Sequence, residues 1–161
     1  MEINVTVFNR QRKIKVNDEM IALIKSACAQ TLKSENVGQA AEIDVTLVSD
    51  GKIKQINRDF RDINKSTDVL SFPMGENGEY DINPETGAII LGDVVISLEH
   101  ALKQAELFGH GVEREVAYLT VHSVLHLLGY DHVNNEKERK IMRKREELIL
   151  GSMGLAVESE K

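Results

Sequence analysis

The apolar and polar positions divide the chain into alternating strands and helices. Ile3, Val5 and Val7 alternate with polar neighbours at period two, the pattern of a half-buried strand. Helical periodicity follows Asp18, a candidate N-cap, with an apolar face through Ile21, Ile24, Cys28 and Leu32. Ile43, Val45 and Leu47 predict a second strand, and Asp50 is placed to cap a short helix carrying Ile53 and Ile56. Arg58 to Lys65 reads as a polar connection into a strand at Val69 to Phe72, and the apolar run Ala88 to Ile96 reads as a central strand. Ser97 caps a helix through Leu107, and Gly109 and Gly111 then interrupt the chain. From Val116 to Leu128 nearly every residue except His122, Ser123 and His126 is apolar or small, which predicts a helix buried on most of its circumference. A last helix is expected from about Asn135 to Leu150. The pattern predicts an α+β fold, a mixed sheet of about four strands packed with helices, in a single domain over residues 1–161 without repeats.

The chemistry concentrates on the buried helix. His122 and His126 are four residues apart, so they leave one helix face a turn apart and their imidazoles can meet one ion. Gly129 can take the left-handed conformation of a C-terminal cap and turn the chain so that His132 reaches the same ion. Three histidine ligands leave a tetrahedral position open, the mark of a catalytic zinc site, and predict one Zn2+ per chain; such a set also binds other divalent transition metals. The spacing resembles the zinc-binding helix of the metzincin proteases, H-E-x-x-H-x-x-G-x-x-H, except that Ser123 replaces the glutamate that deprotonates water. A serine hydroxyl is far too weak a base for that role, so the metal geometry is protease-like and the proton-transfer machinery is not.

The string from His122 to His132, with Thr67-Asp-Val-Leu-Ser-Phe-Pro73 and Leu91-Gly-Asp-Val-Val-Ile96 before it, resembles the YbeY family of bacterial endoribonucleases and rRNA maturation factors. The resemblance extends from about Ile43 to Gly151, and many members carry glycine where this chain has Ser123. It implies a single-strand-directed, metal-dependent endoribonuclease acting in the cytoplasm on ribosomal RNA and ribosomal particles, in maturation and quality control. It also implies a functional arginine at Arg61, six residues before Thr67, where a guanidinium fork would grip two phosphate oxygens. On its own, an arginine in a polar connection reads as a surface residue. Two other classes stand beside this one: a metzincin-like metallopeptidase, and a non-catalytic ribosome assembly factor that uses zinc structurally.

Composition adjusts the picture at a few points. The single cysteine, Cys28, cannot form an internal disulfide and falls on an apolar helix face, so it is expected to be a buried small hydrophobe. The start lacks the features of a signal peptide and no run approaches the length of a membrane span, which predicts a cytoplasmic protein. The net charge of −6 fits least comfortably with an RNA substrate and leaves phosphate binding to local clusters. Those are Arg10, Arg12, Lys13 and Lys15; Arg58, Arg61 and Lys65; and the final helix from Lys137 to Arg145, which its own glutamates balance. Asp131 is a candidate for orienting a ligand imidazole, with turn capping as the equal alternative. Ser71 and Phe72 are candidates for the cleft floor, Phe72 there for base stacking, although a strand-end phenylalanine is expected in the core before the cleft. The glycine- and acid-rich segment 75–87 reads as a mobile loop beside the cleft, since its acidic spacing lacks the glycine and the final glutamate of a calcium loop.

Overall fold

The computed structural model describes residues 2–130 and 135–155. Its core is a four-stranded mixed sheet in the order β1 (Ile3–Asn9), β2 (Ala41–Val48), β6 (Ile89–Ser97), β3 (Val69–Pro73). The first three strands run parallel, and β3 lies antiparallel along β6 at the sheet edge. The sheet is as the apolar pattern predicts, with β6, the most continuously apolar strand, buried at its centre.

Alternation decides which helices cover which face. Ile43, Val45 and Leu47 of β2 and Val94 and Ile96 of β6 share one core with α1 (Asp18–Ser34), α3 (Leu98–Phe108) and α4 (Val112–Leu127). Val48, Leu70 and Val95 join Ile53 of α2 (Asp50–Arg61) in a second, smaller cluster. The last helix, α5 (Glu136–Ser152), lays Met142, Ile149 and Leu150 against Ala117, Val121 and Leu125 of α4. α4 is therefore packed on most sides, and Cys28 on neighbouring α1 is wholly buried, its thiol pushed up to about 12 by desolvation.

Four local expectations are corrected. Asn17 and Ser49, not Asp18 and Asp50, cap α1 and α2, accepting hydrogen bonds from Met20 N at 2.9 Å and Lys52 N at 3.2 Å. The two aspartates occupy the first helical positions, where an acid favours the helix dipole. On α1 it is Met20 that is buried, with Ile21 only half-buried. α2 also outruns its expected end and takes in Arg58 to Arg61, stopping where Asp62 turns left-handed at φ 59°. Finally, the segment expected as a mobile loop contains a hairpin, β4 (Gly75–Glu76) with β5 (Glu79–Tyr80), around Asn77-Gly78 at φ 54° and 77°. An Asn-Gly pair with both φ positive is the turn whose twist suits a two-residue hairpin. Tyr80 fastens it to the end of α4, its hydroxyl donating to the Leu127 carbonyl at 2.7 Å.

Gly92 decides how closely β3 approaches. It sits at the register shift between β2 and β6 with φ 145°, and a Cβ there would come within 2.4 Å of the Phe72 carbonyl oxygen and 3.0 Å of Leu127. The missing side chain thus lets the edge strand and the end of α4 close on each other.

Candidate metal centre

α4 ends as its sequence requires. Leu128 is the C-cap and Gly129 follows at φ 108°, with Gly129 N donating to the His126 carbonyl at 3.0 Å and Tyr130 N to the Leu125 carbonyl at 3.1 Å. These two bonds form a Schellman motif, which satisfies the last carbonyls of the helix and brings Tyr130 back over it. The Tyr130 carbonyl then lies 2.8 Å from His126 Nδ1. His122, one turn earlier, has its Nδ1 2.5 Å from Glu146 Oε2 on α5.

These contacts fix which nitrogens carry protons. A backbone carbonyl and an ionised carboxylate only accept hydrogen bonds, so both Nδ1 atoms must donate. In the neutral imidazoles both Nε2 atoms are then lone-pair donors, and they face each other at 3.2 Å. Two lone pairs at that separation repel unless a cation lies between them. A tetrahedral zinc with bonds of about 2.0–2.1 Å holds its ligand nitrogens about 3.3 Å apart. The donor set therefore fits the ion that the spacing predicts. His132 and Asp131 lie outside the described residues.

The two histidines line an open cleft of about 500 Å3 together with Arg61, Asp68, Ser71, Pro73, Gly129 and Tyr130. Arg61, the last residue of α2, and the edge strand β3 thus meet α4 in one site. Ser71 faces this cleft, as expected of a cleft-floor residue, and its hydroxyl also contacts that of Ser123. Phe72 belongs instead to the second hydrophobic cluster, edge-on to Phe60 with centroids 5.7 Å apart. Ser123 is completely buried between α4 and β3.

Residues that sequence reasoning missed support the site from behind. Glu146 places its carboxylate at His122 Nδ1, and its sequence signal is a glutamate in the apolar stripe Met142, Glu146, Ile149, Leu150 of α5. Glu35 accepts from the Tyr130 hydroxyl at 2.6 Å and from Arg145 Nε at 2.7 Å, tying together the end of α1, the turn after α4 and α5. Burial, reinforced by the Glu35 carboxylate, holds the Tyr130 phenol above its ordinary range, so it stays a donor.

The basic clusters differ in how far they are neutralised. On α5, Arg139 pairs with Glu136, Arg143 with Glu147 and Arg145 with Glu35, which matches a balanced helix face. Near the N-terminus, Lys13 lies 3.2 Å from Glu99 and Arg10 stacks over Phe8. Arg58, Arg61 and Lys65 are exposed, and Arg58 approaches its neighbour Asp59 at 3.5 Å.

The chain is similar to known proteins over nearly its whole length. A family model described as Endoribonuclease YbeY matches residues 6–154. An endoribonuclease YbeY of Clostridium botulinum is 48% identical over 94% of this chain and 98% of its own length. One from Caldicellulosiruptor bescii is 47% identical over 95% and 99%. A solution structure of a Thermotoga maritima protein, 23% identical, superposes with a TM-score of 0.57 over 94% of this chain and 91% of that one, a likeness of fold.

Proposed function

This chain belongs to the endoribonuclease YbeY family, and we propose that it is a metal-dependent endoribonuclease that cuts single-stranded RNA in ribosomal RNA maturation and ribosome quality control. The observation that carries the metal dependence is the pair of Nε2 atoms 3.2 Å apart, each imidazole held by an acceptor at its Nδ1, in a cleft that Arg61 shares. In this reading His122, His126 and His132 hold one zinc ion. When bound, the ion supplies Lewis acidity at a phosphoryl oxygen and acidifies a bound water.

The chain's own groups do the rest. Arg61 grips the phosphate, its planar fork matching two oxygens and its charge opposing the negative charge that builds up in the transition state. The Tyr130 carbonyl keeps the His126 imidazole in the tautomer that presents Nε2 to the cleft. The cleft is open, which suits a flexible single strand, and its partners in this reading are ribosomal RNA and ribosomal particles in the cytoplasm. No helix among the described residues is long and apolar enough to cross a membrane.

The test pairs elemental analysis of the purified protein with cleavage assays on a single-stranded RNA and on unfolded casein. Zinc close to stoichiometric, RNA cleavage abolished by a chelator and restored by zinc, and intact casein are expected. Metal-dependent casein cleavage with RNA left whole would replace the nuclease by a peptidase, and bound zinc without either cleavage would favour a structural metal.

A further inference from the structure

We propose that Glu146 is a positioning residue of the metal centre: by accepting the Nδ1 proton of His122 it fixes the tautomer and ring orientation that offer Nε2 to the ion. The inference deepens the metal-site part of the proposed function and does not depend on the nuclease activity itself.

Its first ground is geometric. Glu146 Oε2 lies 2.5 Å from His122 Nδ1, on the side of the ring away from His126 Nε2. The second is energetic. Glu146 is only 5% exposed, and a carboxylate buried in an apolar stripe is costly unless a donor satisfies it. The stripe of α5 would pack more favourably with a leucine at that position, so the acid is explained by its partner and not by the core. The third ground is the contrast between the two ligands. His126 is oriented by a main-chain carbonyl, which the Schellman turn fixes whatever the side chains are. His122, on α4, meets at its Nδ1 a side chain delivered by another helix, Glu146 of α5. A neutral histidine in water prefers to carry its proton on Nε2, the wrong atom for this site. The carboxylate reverses that preference, and its charge also makes Nε2 a stronger donor to a cation.

The same region supplies a matched control. Glu115, on α4 and 2% exposed, pairs with His110 Nε2 at 2.8 Å.

The experiment compares Glu146→Ala, Glu146→Gln and Glu115→Gln with wild type in two measurements. One is zinc affinity by competition with a chromogenic chelator. The other is the His122 tautomer in the metal-free protein, read from long-range proton–nitrogen correlation spectra at mildly alkaline pH. Wild type should show the Nδ1-protonated form. Glu146→Ala should shift toward the Nε2-protonated form and lose roughly 10–100-fold in zinc affinity. Glu146→Gln, whose amide oxygen still accepts but carries no charge, should keep the tautomer and lose less. Glu115→Gln should stay within about twofold of wild type. Should Glu146→Ala not fold, the Gln variant decides, since an affinity equal to wild type would remove the charge from the account. An Nε2-protonated His122 in wild type, or a loss in Glu115→Gln as large as in the Glu146 variants, would overturn the proposal. A wild type that binds zinc but cuts no RNA would overturn the nuclease reading alone, and the tautomer would still report on Glu146.

Discussion

Arg61 and Ser123 are where single side chains separate phosphate chemistry from alternatives. Arg61 lines the cleft yet sits at the end of α2, exposed, with no part in either core cluster. Arg61→Ala should therefore retain its zinc and its melting temperature while losing most RNA cleavage. Arg61→Lys should recover little, because an ammonium cannot make a two-pronged contact; near-normal cleavage by the alanine variant would assign the phosphate to another cation. Ser123 has a different role from the one its place in the histidine motif suggests. Being one residue past His122 turns it about 100° around the helix, where it is fully buried and touches Ser71. A glutamate there would meet β3 as an uncompensated buried charge. Ser123→Glu should cost about 3–5 kcal/mol of stability, measured by denaturant unfolding, and lose RNA cleavage through the fold without gaining proteolysis. Unchanged stability would mean that this position opens to the cleft.

At the scale of elements, the turn after α4 connects backbone conformation to metal chemistry. Gly129 has φ 108° and open space where a Cβ would lie, so a substitution meets a backbone penalty and no clash. Gly129→Ala should cost about 1–2 kcal/mol and weaken zinc binding as well, because the same turn presents the Tyr130 carbonyl to His126. Lower stability with zinc affinity unaltered would uncouple the two. This turn was legible in the sequence, as were the four sheet strands and the pairing of His122 with His126, because each rests on local periodicity or on one residue's conformational freedom. What stayed hidden depends on long-range geometry. Glu35 and Glu146 reach the site across 95 and 24 residues of sequence, and periodicity along one helix says nothing about which neighbour it meets. The extra turn of α2 was missed because Arg58 to Arg61 is charged around a single, exposed Phe60, a composition that an exposed helix end and a loop share. The hairpin at Asn77-Gly78 had a usable signal that the surrounding acidic residues obscured.

Across the whole molecule, an acidic protein must bind a polyanion, and its charges are arranged unevenly. Asp44 and Asp93 are register partners on β2 and β6; burial holds both carboxyls above their usual range, reinforced by Glu42 for Asp44 and by Asp44 for Asp93. Part of the negative charge thus lies on the sheet, while Arg61 lines the cleft, with Arg58 earlier on α2 and Lys65 after it, all three exposed. On α5 the three arginines Arg139, Arg143 and Arg145 are paired with Glu136, Glu147 and Glu35, and a cation already neutralised by the protein releases few counterions from RNA. Each phosphate neutralised on a single strand contributes about −0.7 to the slope of log affinity against log salt, so engagement by Arg58, Arg61 and Lys65 gives about −2. The measurement is RNA affinity over a salt series with a chelator present to block cleavage, or with a non-cleavable backbone where the metal is retained. Arg61→Ala should flatten the slope by about 0.7, and charge reversal on α5 should leave it nearly unchanged. A wild-type slope of about −4 or steeper would show that the α5 face engages RNA as well, its ion pairs opening to do so.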